Sequence, residues 1–235
     1  MARVAPFQEN PVPQPLRILS TLAVLGLLRE WLPEAGGTPP EVEFNPTARL
    51  LARIAEGERG DIAILTEAGI EELTASGVLA AGTRVDLTRS AIGMAVPPGA
   101  PHPDISSVAA LRATLLAAPS LVYSRAGASG IFFAELIERL GIAAEVNAKA
   151  TVIPQGFTAE VAARGEATLA IQQVSELMAV PGVEIVGKLP EGANTYAVFS
   201  AALFAGAGPE AAALLARLAA AMTPARLAAH GLDPA

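Results

Sequence analysis

Short apolar runs alternate along the chain with longer amphipathic ones. LRIL precedes LAVLGLLREW, VEF precedes ARLLARIAEG, DIAIL precedes EAGIEELTASG, and AIGMAV precedes SVAALRATLLAA. SLVYS then leads into GIFFAELIERLG. ATVI, FTAEVAARGE, TLAIQQ, VEIVGKLP and TYAVFSAAL continue the alternation, and PEAAALLARLAAAM closes it with a helix. The short runs predict strands, and the spacing of apolar positions by threes and fours predicts helices. This βαβα order predicts an α/β fold with a mostly parallel sheet covered by helices on both faces. Gly57, Gly77, Gly141 and Gly165 each end a helical run where a left-handed cap is expected.

The pattern breaks near Thr88 to Ser90, soon followed by PPGAPHPD, and again near Asn194 to Tyr196 after the turn-like LPEGAN. If the chain crosses between domains at both places, residues 16–88 and 195–235 form a discontinuous first lobe, with 89–194 inserted as a second. The expected architecture is two doubly wound lobes joined by two crossovers, with a ligand cleft between them. The 235 residues suffice for two modest cores. Residues 1–15, carrying Pro11, Pro13 and Pro15, read as an extended arm.

Three times a strand ends in hydroxyl residues that open a helix: RILST, EFNPT and VYSRAGAS. The first N–H groups of a helix lack intrahelical partners, and the macrodipole adds partial positive charge there. A serine or threonine at such a place is a preferred N-cap whatever the function. The conjunction carries more. In a doubly wound sheet all parallel strands end at one edge, so Ser20, Thr21, Thr47 and Ser129 are expected to share a crevice and face one small oxygen-rich anion. Gly127 and Gly130 are expected to let the backbone approach that ligand.

Arg89, at the first crossover, and Arg125 offer bidentate forks to a carboxylate or belong to a solvated surface. Gln172 and Gln173 end a strand, where buried amides either meet a ligand or cap a loop. Tyr196, at the second crossover, points its hydroxyl into the cleft or packs in the core. Glu67 and Glu176 lie near strand ends as acidic candidates, or serve as helix-start residues favoured by the dipole.

Composition narrows the chemistry. A net charge of -7 argues against nucleic acid as partner. The chain has no cysteine, and its two histidines, His102 and His230, belong to no ligand cluster, so no metal site is expected. GASGI departs from the G-x-S-x-G nucleophile elbow at Ile131, and no P-loop or G-x-G-x-x-G occurs. No cofactor is called for. No apolar run is long enough to span a membrane. The N-terminus lacks the apolar stretch of a secretory signal, which reads as cytoplasmic as it stands; a trimmed mature form, read the same way, would be periplasmic or extracellular.

LRILSTLAVLGLLREW, EFNPTARLLARIAEGERGDIAILT, TRSAIGMAVPPGAPHPDIS, GASGIFFAELIERLGI and ARGEATLAIQQVSEL together resemble type 2 periplasmic binding proteins, in the branch that looks like molybdate-binding receptors of ABC transporters. The resemblance spans Leu16 to Leu232. It implies two α/β lobes closing on an anion, and a transporter permease as partner. Carried over by position, it implies ligand contacts at Ser20 or Thr21, at Thr47, at Ala128 to Gly130, and at Gln173. The last departs from the molybdate receptors, where a tyrosine hydroxyl is usual, which counts against a tetrahedral oxyanion. The ST start and the QQ strand end also resemble aconitate isomerase, an enzyme on the same fold that moves a proton to shift a double bond and needs no cofactor. The function expected is therefore capture of a small carboxylate or oxyanion for transport, with isomerisation of an unsaturated polycarboxylate in the same cleft as the alternative. The isomerase needs a base near pKa 7, and the sequence alone does not reveal it.

Overall fold

The computed structural model describes residues 15–125 and 127–235. The expected N-terminal arm, Pro15 apart, lies outside the described residues. The chain opens with β1 (Arg17–Ser20), a 3-10 turn (Leu22–Val24), α1 (Leu25–Trp31), β2 (Glu41–Phe44), α2 (Thr47–Ala55), β3 (Ile62–Thr66) and α3 (Glu67–Ala75). A long strand, β4 (Val85–Val96), leads to α4 (Val108–Ala117), β5 (Leu121–Ser124), α5 (Ala128–Arg139), α6 (Ala143–Asn147) and β6 (Ala150–Ile153). Then follow α7 (Thr158–Ala163), β7 (Leu169–Gln173), α8 (Val174–Met178), β8 (Glu184–Lys188), β9 (Tyr196–Leu203), α9 (Pro209–Ala220) and α10 (Pro224–Ala229).

The sheet order is β2-β1-β3-β9-β4-β7-β5-β6, with β8 also pairing β4. β2-β1-β3 and β6-β5-β7 are parallel blocks, as the alternation predicts. Every pairing of β4 and β9 is antiparallel, which corrects the expectation of a mostly parallel sheet. The reason lies in their task. Both strands carry the chain across the middle of the molecule, and β9 follows β8 with no helix between them, so that both run opposite to β4. β4 pairs with β9 up to Ala91 and with β7 and β8 from Ile92 onward, so one strand serves both halves.

The core divides along the same line. In the first half Ile18, Ile62 and Ile64 face α1, α9 and α10 through Leu28, Leu214, Leu218 and Leu227. The alternate residues Leu19, Ala63 and Leu65 face α2 and α3 through Leu50, Ile54, Ile70 and Leu73. This is the two-residue period of a strand covered on both sides. In the second half Ile92, Met94, Leu121 and Ile171 pack on Leu111, Leu115, Phe133 and Ile137, while Ala95, Val122 and Ala170 meet Ala159, Ala162 and Leu177. Asn194 stitches the two crossovers together. Its Oδ1 accepts from Ile92 N (3.0 Å), and its Nδ2 donates to Ile92 O (3.0 Å) and Leu189 O (2.8 Å).

Helix ends follow the glycine signals: Gly77 and Gly141 take φ of 74° and 64° just beyond α3 and α5, in the left-handed region where a Cβ would be strained. α6, α8 and α10 escape periodicity reading because five or six residues cover less than two turns.

Candidate functional site

The parallel strands β1, β2, β3, β5, β6 and β7 each deliver residues from their C-terminal end to one cleft. The space in it, counted out to open solvent, is about 430 Å³. Its walls include Thr21, Pro46, Thr47 and Thr66 from the first half, and Ser124, Gly127, Ala128, Gln155, Gly156, Gln172 and Gln173 from the second, with Glu176 beside them. The starts of α2, α3 and α5 open onto it.

Hydroxyls at these helix starts do not serve as caps. Thr21 and Thr66 occupy N-cap positions, yet neither side chain bonds its helix. Thr47 is the first residue of α2, behind Pro46 at the N-cap. Away from the cleft the same chemistry does cap: Ser107 Oγ accepts from Ala110 N at α4, and Thr223 accepts from Arg226 N at α10. A cap oxygen stabilises a helix by about 1 kcal/mol, so hydroxyls that decline it at the cleft, and take it elsewhere, are free for an incoming acceptor.

The β5–α5 junction holds two more, Ser124 on the wall of the cleft and Ser129 in the first turn of α5 but not on the wall itself. Ser124 and Ser129 are buried, 2% and 1% exposed, and neither Oγ has a hydrogen-bond partner among the described residues. Both flank Gly127, where a Cβ in place of hydrogen would lie 2.8 Å from Ser124 Oγ and 3.7 Å from Ser129 Oγ. Unsatisfied buried hydroxyls cost about 1–3 kcal/mol each. Ser124→Ala and Ser129→Ala are therefore expected to leave the fold as stable or more stable in chemical denaturation. Each should weaken binding of an anionic ligand in calorimetry by about 1–3 kcal/mol. Loss of stability with unchanged affinity would assign both serines to structure.

Gly130 answers to packing rather than to the ligand. A Cβ there would meet the Ser124 carbonyl oxygen at 1.7 Å, so the glycine permits the close approach of α5 to β5 and does not line the cleft.

The glutamine pair divides its work. Gln172 Oε1 accepts from Thr158 N (2.8 Å) and Thr158 Oγ1 (2.9 Å), and its Nε2 donates to Gly156 O (3.0 Å), anchoring the loop that forms one wall. Gln173 also faces the cleft, and with its side-chain amide turned so that the nitrogen faces these acceptors it donates to Ser90 O (3.0 Å) and Ala91 O (3.1 Å), tying the wall to the crossover strand.

Glu176 is the residue that sequence reasoning undervalued. It sits in the first turn of α8, where a carboxylate is favoured by the helix start, as expected. Burial opposes that preference and wins. Loss of water raises its pKa to about 7, against hydrogen bonds from the Gln172 side chain and the Gln173 main chain that favour the charged form. The cleft thus holds one carboxyl group poised to gain or lose a proton near neutrality.

Other expected site residues lie elsewhere. Ser20 is buried and its Oγ donates to Thr21 O (3.1 Å), so of the neighbouring pair it is Thr21 that lines the cleft. Arg89 and Tyr196 are not brought to this cleft. The Arg89 guanidinium stacks over the Tyr196 ring at 4.8 Å, Lys188 Nζ stands 5.5 Å from the same ring, and Tyr196 is 46% exposed. Side chains alternate sides along β4 and β9, and these two fall on the outer side of the crossover. Glu67 is engaged by Arg84. His102 and His230 pair with Glu184 and Glu30. None of the described residues lining the cleft is cationic.

The chain matches, over residues 31–233, the family described as bacterial extracellular solute-binding protein. The chain belongs to this family. A curated relative, aconitate isomerase of Pseudomonas sp, is 37% identical over 230 residues, covering 93% of this chain and 87% of the relative. Among solved structures, the periplasmic molybdate-binding protein of Azotobacter vinelandii superposes with a TM-score of 0.76 at 15% identity, over 94% of this chain and 99% of that one. The sulfate-binding protein of Mycobacterium tuberculosis H37Rv superposes with a TM-score of 0.69 at 13% identity, over 94% and 87%. At these identities the structural likeness is one of fold, the α/β architecture of periplasmic binding proteins. Among the described residues no helix of this solute-binding family member is long and apolar enough to cross a membrane.

Proposed function

We propose that the chain is a cofactor-independent isomerase of a small unsaturated polycarboxylate, acting on aconitate or a close analogue in the cleft between two lobes, 16–88 with 195–235 and 89–194. The observation that carries this is Glu176: a buried carboxyl of pKa about 7 on the wall of a cleft lined by hydroxyls and helix starts. For a receptor that only captures an anion, the ionised form of such an acid repels the guest. A proton-shifting enzyme needs such a group, since a base works best with a pKa near the operating pH. The 37% identical aconitate isomerase supports the same choice.

The roles divide as follows. Thr21, Thr47, Ser124, Ser129 and the N–H groups at the start of α5 hold carboxylate oxygens. The Glu176 carboxylate takes a proton from the methylene carbon next to the double bond, and the electron pair delocalises into the adjoining carboxylate-bearing carbons. The same carboxyl, now neutral, returns the proton to the far carbon of the three-carbon unit. One C–H bond breaks and one forms, so the enzyme ends as it began. The hydroxyls and N–H groups stabilise the extra negative charge of the intermediate, where preorganised donors contribute most.

Incubation with cis-aconitate followed by proton NMR is expected to show the trans isomer accumulating to equilibrium. A rate no faster than buffer, with tight binding of a carboxylate or oxyanion by calorimetry, would overturn the isomerase and leave the second reading. That reading, capture of a small anion for delivery to a transporter permease, is favoured by the solute-binding description of the family. In it, protonated Glu176 donates a hydrogen bond to the captured ligand.

A further inference from the structure

A polycarboxylate brings several negative charges to a cleft whose described walls carry no cation and one acid. Backbone N–H groups and hydroxyls suffice for one carboxylate, and a further charge at the mouth needs a counter-ion. The structure offers one. Arg49 Nη1, from the first turn of α2, donates to Gln155 Oε1 at 2.7 Å, joining residues 106 apart in the chain. Gln155 and Thr47 both line the cleft, from opposite halves, so this exposed contact links its two sides.

Two features set Arg49 apart. Arg17, Arg53 and Arg84 each bond carboxylates and Arg59 bonds main-chain carbonyls of its own segment, whereas the partner of Arg49 is a neutral amide on the opposite wall of the cleft. Its place in the first turn of α2 also sets a cation against the positive end of the helix dipole, so helix stability does not explain it. A guanidinium held by a neutral oxygen, exposed to water, and next to an anion cleft gains by exchanging that oxygen for a carboxylate, with which it makes a charge-assisted and often bidentate contact.

We propose that Arg49 is a specificity-determining residue: it leaves Gln155 for the outer carboxylate of a polycarboxylate entering the cleft, and so selects di- and tricarboxylates over compact monoanions. This rests on the reading of the cleft as a polycarboxylate site, and it adds the group that reads the guest's charge.

The test is calorimetry with tricarballylate, a saturated tricarboxylate that cannot isomerise, on the full chain and on R49K, R49Q and R49A. Arg49→Gln keeps a donor for Gln155 and removes the charge, while Arg49→Lys keeps the charge. A specificity role predicts that R49Q and R49A bind about tenfold or more weakly, the scale of one hydrogen bond to a charged group. R49K should fall between them and the wild type, and raised ionic strength should narrow the differences. A merely structural latch predicts that R49Q matches the wild type, which would overturn the proposal, as would equal affinity for all four proteins.

The outcomes also separate the two claims. Arg49-dependent binding of tricarballylate in a protein that does not isomerise cis-aconitate sinks the isomerase and leaves this inference standing. Isomerisation with a KM unaltered by all three substitutions sinks the inference alone. No binding of tricarballylate to the wild type sinks the inference whatever the isomerase assay shows.

Discussion

Glu176→Gln is expected to lower the isomerisation rate by about 10²–10⁴-fold, the usual contribution of a positioned acid–base group, while making the folded protein more stable at pH 8. The two signs follow from one cause. In the folded chain burial holds the proton on Glu176 up to about pH 7, whereas in the unfolded chain it leaves near 4.5. Between those values the native state binds more protons than the unfolded state, so stability falls as pH rises, and above about 7 the full cost is present. The gap between 4.5 and about 7 corresponds to about 3 kcal/mol. A glutamine keeps an oxygen for the Gln172 and Gln173 donors and carries no charge, so it escapes this cost. At pH 4 the variant and the wild type should unfold alike; at pH 8 the variant should be more resistant to urea. The wild-type rate should climb with pH through about 7 as the carboxyl ionises. A variant that keeps its rate, or that is less stable at pH 8, would remove Glu176 from the chemistry.

Gly130→Ala is expected to destabilise the protein by about 3 kcal/mol or more, the range for a steric conflict that neighbours cannot relieve. The added methyl would meet Ser124 O at 1.7 Å and Ser124 C at 2.6 Å, and both are main-chain atoms of β5. No rotamer change can move them. Strand and helix would have to part, taking the start of α5 and its free N–H groups out of the cleft. Gly127→Ala is the instructive comparison. There the closest atom is Ser124 Oγ at 2.8 Å, the tip of a side chain that can rotate, so the fold should survive with a loss below about 1.5 kcal/mol. Thermal unfolding of the two variants checks the contrast, at roughly 2–4 °C per kcal/mol for a chain of this size. A Gly130→Ala protein that melts with the wild type would return Gly130 to the ligand-contacting role that its sequence position suggests.

These residues illustrate how unevenly the site can be read in the sequence. Thr21, Thr47 and Gln173 are visible because each stands at or just after a strand end where a helix opens, and strand ends of parallel blocks meet at one edge. Ser20 and Thr21 cannot be told apart from their order, because successive residues of a strand point to opposite sides. Hydrogen bonds made elsewhere in the chain decide between them. Arg89 and Tyr196 sit at the crossovers as their sequence positions suggest, yet they stack on each other outside the cleft.

By itself the sequence determined the alternation of strands and helices, the places where the pattern breaks, and the hydroxyl-bearing helix starts, because all of these are local: they depend on residues within a turn or a pleat of one another. The tertiary structure alone decided the antiparallel centre of the sheet, the packing role of Gly130, the reach of Arg49 to Gln155 and the proton affinity of Glu176. Each of those depends on which distant segments exclude water or supply a partner. Charge, burial and hydrogen bonding across the cleft are properties of the assembled chain, and a carboxyl that reads as a common helix-start residue becomes a base only once the fold has closed around it.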